Sequence, residues 1–282
     1  MSKRGILWAA IACLALAGLP ARAETYHAAR GRVLAGQGHY REAVTEFHLA
    51  LRRQPRDAQV QCQLGNALYH LQRYGEAIAA YRSALRAAPN WADAYNNLGA
   101  ALKASQRYEE AATAYRQALR LAPDDAVVHH NLGLLYYRLH RYDDSLAELR
   151  AAAELKPDWP EVHDMIGTIF YDRQRYDEAI AEFTRAVLIK PGQAEARLNL
   201  GVALVGLERY DEAARQLQQA VRLKPDDEDS HYNLGVVYAL QHRWEQAVQQ
   251  WNETLRLDPN HQEAMQWLNL IRNNVRADLP DR

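Results

Sequence analysis

Several features that mark enzymes and metal proteins are missing from this sequence of 282 residues. It has only two cysteines and no paired-cysteine or His-Glu-x-x-His motif, so no metal-binding pattern is recognisable. No glycine-rich loop follows a strand pattern, which argues against a phosphate-binding site. The formal net charge is −1, whereas nucleic-acid-binding proteins carry an excess of Lys and Arg. We therefore expect neither an enzyme nor a nucleic-acid-binding protein.

The N-terminal apolar run is too short to span a membrane comfortably, because a span needs about 20 residues. This run covers residues 6–19 and follows two basic residues. Ala21 and Ala23 then form the small-x-small pattern of a signal-peptidase site. We predict a signal peptide over 1–23 and a periplasmic or secreted protein; an uncleaved anchor is the alternative. Cleavage would leave Cys62 as a lone cysteine, without an internal disulfide.

Proline, glycine and aromatic residues each recur at an interval of 34 residues. The prolines are Pro55, Pro89, Pro123, Pro157, Pro191, Pro225 and Pro259. The glycines are Gly31, Gly65, Gly99, Gly133, Gly167, Gly201 and Gly235. A strict period in this range marks a solenoid of stacked supersecondary units. It defines seven repeats, at 24–57, 58–91, 92–125, 126–159, 160–193, 194–227 and 228–261.

Each repeat has the periodicity of two helices. In the second repeat, Leu64, Leu68 and Leu71 lie three to four residues apart, and a second stripe covers 77–85. We expect the glycine of the first helix to let its partner helix approach closely. Proline ends the second helix because it lacks an N–H and clashes with the preceding turn. The polar residues after it are expected to cap the next helix: Asn90, Asp124, Asp158, Asp226 and Asn260.

Two of these repeats carry the residues of a known family. The segment Tyr95-x2-Leu98-Gly99-x2-Leu102, followed by Ala111-x3-Tyr115 and Pro123, resembles the tetratricopeptide repeat, as does the same part of the last repeat. The resemblance covers nearly all of 24–261 without insertions. It implies an all-α fold, a right-handed superhelical solenoid of helix-turn-helix repeats.

The end of the chain is expected to cover the last repeat. Met265, Leu268, Ile271 and Val275 form an apolar stripe at helical spacing, and solenoid ends need a cover with a polar outer side. We therefore predict a C-terminal capping helix over 262–276 and a tail over 277–282.

The family resemblance implies a peptide-binding groove lined by the first helices. Its sixth repeat position holds Asn97, Asn131, Asn199 and Asn233, a ladder that resembles the superhelix of the O-linked N-acetylglucosamine transferase. Asparagine can donate to and accept from a peptide backbone, although generic Asn-Leu-Gly turn chemistry is the alternative. The implied peptide-binding residues are Asn66, Tyr69, Asn97, Asn131, Tyr137, Asp164, Tyr171, Asp172, Glu195, Asn199, Tyr232 and Asn233.

Charge is unevenly distributed over these groove positions. The first four repeats carry the bases Arg32, Lys103 and Arg138 against one acid, Asp93. The last three carry only acids: Glu161, Asp164, Asp172, Glu195 and Asp229. Because a concave surface focuses the electric field, we expect the acidic part to receive basic ligand groups and the other part acidic or neutral ones. The bases of the chaperone-binding carboxylate clamp are absent, which excludes that specialisation.

The predicted function is an adaptor or assembly factor that binds extended peptide or protein segments, without a cofactor, metal or small-molecule substrate. His27, His129, His163 and His231 share one repeat position, and equivalent positions lie about 10 Å apart, too far to share a metal. We interpret them as structural. A scaffold joining folded partners, or an accessory subunit presenting substrates to an enzyme, remains an alternative. Membrane association is expected only through a complex or an uncleaved signal segment.

Overall fold

The computed structural model describes the backbone of residues 26–277 and the side chains through residue 272. The first helix of this range, α1, covers 26–36. The others are α2 (Tyr40–Arg53), α3 (Ala58–His70), α4 (Tyr74–Ala87), α5 (Ala92–Ala104), α6 (Tyr108–Leu121), α7 (Ala126–Arg138), α8 (Tyr142–Leu155), α9 (Pro160–Asp172), α10 (Tyr176–Ile189), α11 (Ala194–Val205), α12 (Tyr210–Leu223), α13 (Glu228–Leu240), α14 (Trp244–Leu257) and α15 (Gln262–Ala277). None of the helices in 26–277 has both the length and the apolar character that crossing a membrane requires. The predicted signal peptide lies outside the described residues.

The helices pack in chain order within two compact units, which divide after Arg141. In the first unit each of α2 to α6 packs against the next helix, and in the second each of α8 to α14 does so. The first helices of successive repeats also contact each other, α3 with α5 and α5 with α7, and α9 with α11 and α11 with α13. These odd-numbered helices form one surface in each unit, which we call the first-helix face. The fold is the all-α solenoid of helix pairs expected from the sequence.

Glycine allows the two helices of a repeat to pack closely, as the sequence predicted. A Cβ atom on Gly99 would lie 2.7 Å from the ring of Tyr115, which is fully buried. In the second unit, a Cβ on Gly235 would lie 2.5 Å from the indole nitrogen of Trp251. These distances are too short for any side chain, so an aromatic or aliphatic residue of the second helix fills the space above the glycine.

The turn inside each repeat contains one residue in the left-handed region. Gly38 has a φ of 81° there. Six later repeats place residues with a side chain at the same point, with φ between 56° and 60°: Gln72, Gln106, His140, Gln174, Glu208 and His242. A residue with a Cβ pays a steric cost in this region of roughly 1–2 kcal/mol. The turn geometry is therefore imposed by the helices on either side and not by local preference.

The shared histidine position joins three helices. Nδ1 of His163 lies 2.7 Å from Glu182 Oε2, and Nε2 lies 3.1 Å from the backbone oxygen of Pro157. His231 makes the equivalent contacts with Gln250 and Pro225 at 2.7 Å and 3.1 Å. Both rings are buried. The histidine at the fourth repeat position is thus a hydrogen-bond partner for the backbone carbonyl of the periodic proline, which lies just after the end of a second helix.

The expected N-caps are wrong, because the capping residue lies one position later. Asp125, not Asp124, caps α7, and its Oδ1 accepts from the backbone N–H of Val127 at 2.9 Å. Asp227, not Asp226, caps α13 in the same way. The residue with extended backbone just before the first helical turn is the second after proline, and only its side chain reaches the free N–H groups. Asn90 and Asp158 each precede a tryptophan that holds the N-cap position without a side-chain hydrogen bond, Trp91 in α5 and Trp159 in α9. Before α15, the side chain of His261 and not that of Asn260 accepts a hydrogen bond from the backbone N–H of Ala264.

Candidate functional site

Two ladder asparagines link neighbouring first helices by the same hydrogen bond. Asn131 Nδ2 donates to Asn96 Oδ1 at 3.1 Å in the first unit. In the second unit Asn199 Nδ2 donates to both carboxylate oxygens of Asp164, at 3.0 and 3.3 Å. Asn96 and Asp164 occupy the same repeat position. An asparagine amide has two N–H donors and a carbonyl, so each of these side chains retains hydrogen-bonding capacity toward a ligand.

Asn97 belongs to a different network, around Asn66. Oδ1 of Asn66 accepts from the hydroxyl of Tyr81 at 2.7 Å and from Asn97 Nδ2 at 3.2 Å. These residues, with Tyr69, line a cavity of about 320 Å³ on the first-helix face of the first unit. The structure therefore brings three of the predicted site residues, Asn66, Tyr69 and Asn97, to one small polar cavity.

Asn233 is the exception within the ladder. Its Nδ2 donates to the backbone oxygen of Asp229, one turn earlier on its own helix, at 2.8 Å. The reason lies in the preceding repeat, where Leu198 stands at the position held by Asp164 and Asn96 elsewhere. Leucine has no acceptor, so the amide turns back to its own helix.

Tyr115 buries a hydroxyl for which the described residues provide no hydrogen-bond partner. The side chain occupies the repeat position of Tyr81, but the residue that corresponds to Asn66 is Ala100. Ala100 lines the cavity of Asn66 and Asn97, and Tyr69 is an electrostatic neighbour of the Tyr115 hydroxyl. Burial raises the pKa of Tyr115, with Tyr69 adding to the effect, so the group remains an O–H donor. Tyr115 is therefore a buried hydroxyl without a hydrogen-bond partner among the described residues.

Two cations meet in a second cavity of the first unit. Lys103, Tyr108, Tyr137 and Arg138 contribute to its walls, and its volume is about 500 Å³. Burial lowers the pKa of Lys103, and the charge of Arg138 lowers it further. Arg138 lies over the ring of Tyr108, with Cζ 5.3 Å from its centre. Among the residues the structure describes, no carboxylate forms an ion pair with either cation. Arg32, the third predicted base, is an exposed residue of α1 outside this cavity.

The second unit brings acids together instead. Burial raises the pKa of Asp164, and the nearby carboxylates of Glu195 and Glu161 raise it further, while the hydrogen bond from Asn199 opposes them. Lys190 Nζ lies 3.6 Å from Glu161, so that acid is partly compensated. The first-helix face here therefore brings three of the acids named from the sequence, Asp164, Glu195 and Glu161, near one another.

The other predicted residues of the second unit lie apart from this acidic group. The ring of Tyr171 packs edge-on against Tyr176 at 5.6 Å, and Asp172 follows it as an exposed residue at the end of α9. Tyr232 packs against His261 at 4.6 Å. The pKa of Asp229 is raised, first by burial and then by Glu228 and Asp227 of its own helix start. The predicted site is therefore several local clusters and not one continuous set.

Cys62 is buried next to Asn97. Burial raises the pKa of its thiol to about 11, against a smaller opposing effect of a hydrogen bond with Asn97. A thiol with this pKa is almost entirely protonated at neutral pH and is a poor nucleophile. Cys62 is therefore a buried packing residue of α3.

Sequence reasoning missed the different hydrogen bonding of the Tyr81 and Tyr115 hydroxyls. Both residues belong to the apolar stripe of a second helix, and their rings are indeed buried. The signal that would have found them is the exchange of Asn66 for Ala100 at the same repeat position. That exchange is informative only when the contact between this position and the tyrosine hydroxyl is known.

Comparisons with known proteins agree with this geometry. Family models described as tetratricopeptide repeat match residues 28–92, 198–262 and 126–159, and a TPR repeat model matches 101–140 and 167–208. Together they cover most of the chain. No curated protein matches the sequence significantly.

Solved structures show the same fold. The TPR protein YrrB, described as having an unusual peptide-binding site, is 24% identical over 67% of this chain and 98% of its own, with a TM-score of 0.59. The C-terminal part of a TPR protein from Cytophaga hutchinsonii has a TM-score of 0.72 at 15% identity, over 85% and 98% of the two chains. PilF from Pseudomonas aeruginosa has a TM-score of 0.65 at 20% identity, over 75% and 96%. The periodic sequence, the packed helix pairs and the matching family models together show that this chain belongs to the tetratricopeptide repeat family.

Proposed function

We propose that this protein is a non-catalytic adaptor whose first-helix face binds extended segments of partner proteins. The observation that carries this proposal is a set of two cations in the first unit that lack anionic partners in the part of the chain that the structure describes. Lys103 and Arg138 share a cavity on this face, and no carboxylate among the described residues forms an ion pair with either of them. Buried polar groups are normally paired, so such a set favours a surface completed by a ligand.

The second unit supports the proposal with the opposite chemistry. Asp164 carries a raised pKa, which means that its surroundings disfavour the negative charge. A Lys or Arg side chain of a ligand would reverse that effect, because a nearby opposite charge stabilises the carboxylate. We therefore propose that basic ligand groups bind around Asp164 and Glu195, and acidic or neutral groups around Lys103 and Arg138.

The ladder asparagines and groove tyrosines supply contacts that do not depend on ligand sequence. Asn131 and Asn199 each keep one amide N–H and a carbonyl for a peptide backbone, as in the ladder of the transferase superhelix that they resemble. Tyr69 and Tyr137 offer half-buried aromatic area, a common component of protein interfaces. The peptide-binding site described for YrrB is a precedent on the same fold.

The proposed location is the periplasm or the exterior of the cell. The signal-like order of residues 1–23 supports this proposal. The intact mass of the protein purified from its native host tests it. A mature chain starting at Glu24 is the expected result, and a chain that retains residues 1–23 would contradict cleavage.

Binding can be tested with an array of extended peptides that vary in charge and in aromatic content. Replacing Asn97 and Asn131 together by alanine should weaken binding about tenfold or more, since each hydrogen bond contributes about 0.5–1.5 kcal/mol. The matched control replaces Asn90 and Asn252, which are exposed and lie outside the first helices. Circular dichroism should show equal helicity in both variants. The proposal fails if no peptide class binds, or if both double variants bind as the wild type does.

A further inference from the structure

Leu188 is an exposed leucine at a repeat position that elsewhere carries charge. The corresponding residues are Arg52, Arg86, Arg120, Glu154, Arg222 and Arg256. Leu188 is 72% exposed, the largest value among the large exposed hydrophobic residues of the described chain. Its neighbour Ile189 is also exposed, at 37%. Leu188 and Ile189 together form an exposed apolar pair, and a contiguous apolar patch, unlike a single exposed residue, is typical of a contact surface.

The surroundings of Leu188 form a groove that has a polar counterpart elsewhere in the chain. The groove, of about 570 Å³, lies between α8 and α10. Its walls combine the apolar residues Ala153, Ile166, Leu188 and Ile189 with the charged residues Arg150, Glu154, Glu182 and Arg185. In the first unit the equivalent groove, of about 660 Å³, is lined by Pro55, Arg56, Gln61, Ser83, Arg86 and Ala87. Arg86 and Ala87 there correspond to Leu188 and Ile189. Leu188 and Ile189 therefore add apolar surface at positions that Arg86 and Ala87 occupy in the first unit.

The groove is bordered by one basic and one acidic residue, and this pair could form ion pairs with the same two residues of a second copy of the protein. Arg150 and Glu154 lie four residues apart on α8, and both are exposed. Neither forms an ion pair within the described residues; the guanidinium of Arg150 lies 5.8 Å from the ring centre of Phe170. Residues four apart are separated by about 6 Å along a helix axis. Two antiparallel copies of α8 would therefore place each Arg150 opposite the Glu154 of the other.

We propose that this groove is the interface of a two-fold symmetric homodimer, with α8 packed antiparallel against α8 of the second copy and Leu188 buried between them. A two-fold interface is self-complementary, and the Arg150–Glu154 arrangement has that property. The small side chain of Ala153 between the charges permits close approach of the two helices. The interface leaves the first-helix faces free, so each dimer would present two ligand-binding surfaces.

The test is sedimentation velocity of the mature protein over a wide range of concentrations. Leu188→Arg should raise the dimer dissociation constant about tenfold or more, because buried anchor residues dominate interface energy. This variant restores the residue type that other repeats carry there, so it should fold. Leu223→Arg, at another exposed leucine of the second unit, is the matched control and should leave dimerisation unchanged.

Charge exchange tests the antiparallel geometry. Arg150→Glu and Glu154→Arg should each weaken the dimer, because each places like charges opposite one another. The double variant should recover the dimer, since the swapped charges are again complementary. A monomer at every concentration would overturn the proposal. So would equal effects of Leu188→Arg and Leu223→Arg, or a double variant weaker than both single ones.

Discussion

The two units are built by the same packing but present different polar groups on their first-helix faces. In both, a glycine of the first helix lies against a large side chain of the second, Tyr115 above Gly99 and Trp251 above Gly235. The first unit then places two cations, Lys103 and Arg138, in one cavity, whereas the second gathers carboxylates around Asp164. The periodic residues therefore determine the scaffold, and the non-periodic residues between them determine what it can bind.

Two neighbouring repeats of the first unit likewise share their packing but differ in one polar contact. Tyr81 and Tyr115 have equivalent buried rings, but only Tyr81 finds an acceptor, in Asn66. The change from Asn66 to Ala100 leaves the packing intact and removes one hydrogen bond. A single difference on the first helix thus decides whether a buried tyrosine hydroxyl has a hydrogen-bond partner among the described residues.

The largest effect should come from the packing that both units share. Gly99→Ala and Gly235→Ala should each destabilise the protein by about 1–3 kcal/mol, because the added methyl group overlaps Tyr115 or Trp251. Chemical denaturation measures the free energy of unfolding. Gly75→Ala is the control, since no atom lies within 4 Å of its added Cβ. If Gly75→Ala costs as much as the other two, close packing is not the function of the periodic glycines.

Removing the two tyrosine hydroxyls should give opposite results. Tyr81→Phe should destabilise the protein by about 0.5–1.5 kcal/mol, because Asn66 loses a donor. Tyr115→Phe should be neutral or stabilising, because it removes a buried hydroxyl that has no partner. Thermal unfolding of both variants against the wild type measures the difference. Equal losses in both would show that Tyr115 also has an acceptor in the free protein.

Relieving the left-handed turns should stabilise the two units to a similar extent. Gln106→Gly in the first unit and Gln174→Gly in the second should each raise stability by up to about 1 kcal/mol. The reason is that glycine adopts the positive φ without a steric cost, whereas the flexibility of the unfolded chain offsets part of the gain. Gly38→Gln is the reverse experiment, and it should lower stability. A loss in both glycine variants would mean that the glutamine side chains make stabilising contacts.

Asp164→Asn should have a smaller, pH-dependent effect confined to the second unit. The folded-state pKa of Asp164 is raised above its usual 3.8, so the ionised carboxylate lowers stability at neutral pH. The variant should therefore be more stable than the wild type above the folded-state pKa. This advantage should shrink as the pH falls through the raised pKa and vanish below the usual one. Urea denaturation across this range measures it, and a pH-independent difference would show that the buried charge of Asp164 is not its cause.

The scaffold could be predicted from the sequence because its determinants repeat. The spacing of Pro123 and Gly99 in successive repeats gives the helix pairs and their close packing without any structure. The predicted N-caps are displaced by one residue because Asp124 and Asp125 are both chemically suitable, and only the backbone direction distinguishes them. Whether the hydroxyl of Tyr115 has a hydrogen-bond partner depends on which residue lies next to it in space, and periodicity alone does not give that residue.

The central claim, that each first-helix face selects ligand charge, can be tested by crossed titrations of one acidic and one basic fluorescent peptide. The double variant Lys103→Glu with Arg138→Glu should selectively weaken binding of the acidic peptide. The double variant Asp164→Lys with Glu195→Lys should selectively weaken binding of the basic peptide. The controls change net charge equally at exposed residues of second helices, Arg86→Glu with Arg120→Glu, and Asp177→Lys with Glu245→Lys. Rising salt should weaken wild-type binding of both peptides, because dissolved ions screen the attraction between exposed charges. The screening (Debye) length is about 8 Å at physiological ionic strength and becomes shorter as salt is added. We expect selective losses in the first-helix variants alone; equal losses in the controls would show that only net charge matters and would contradict the claim.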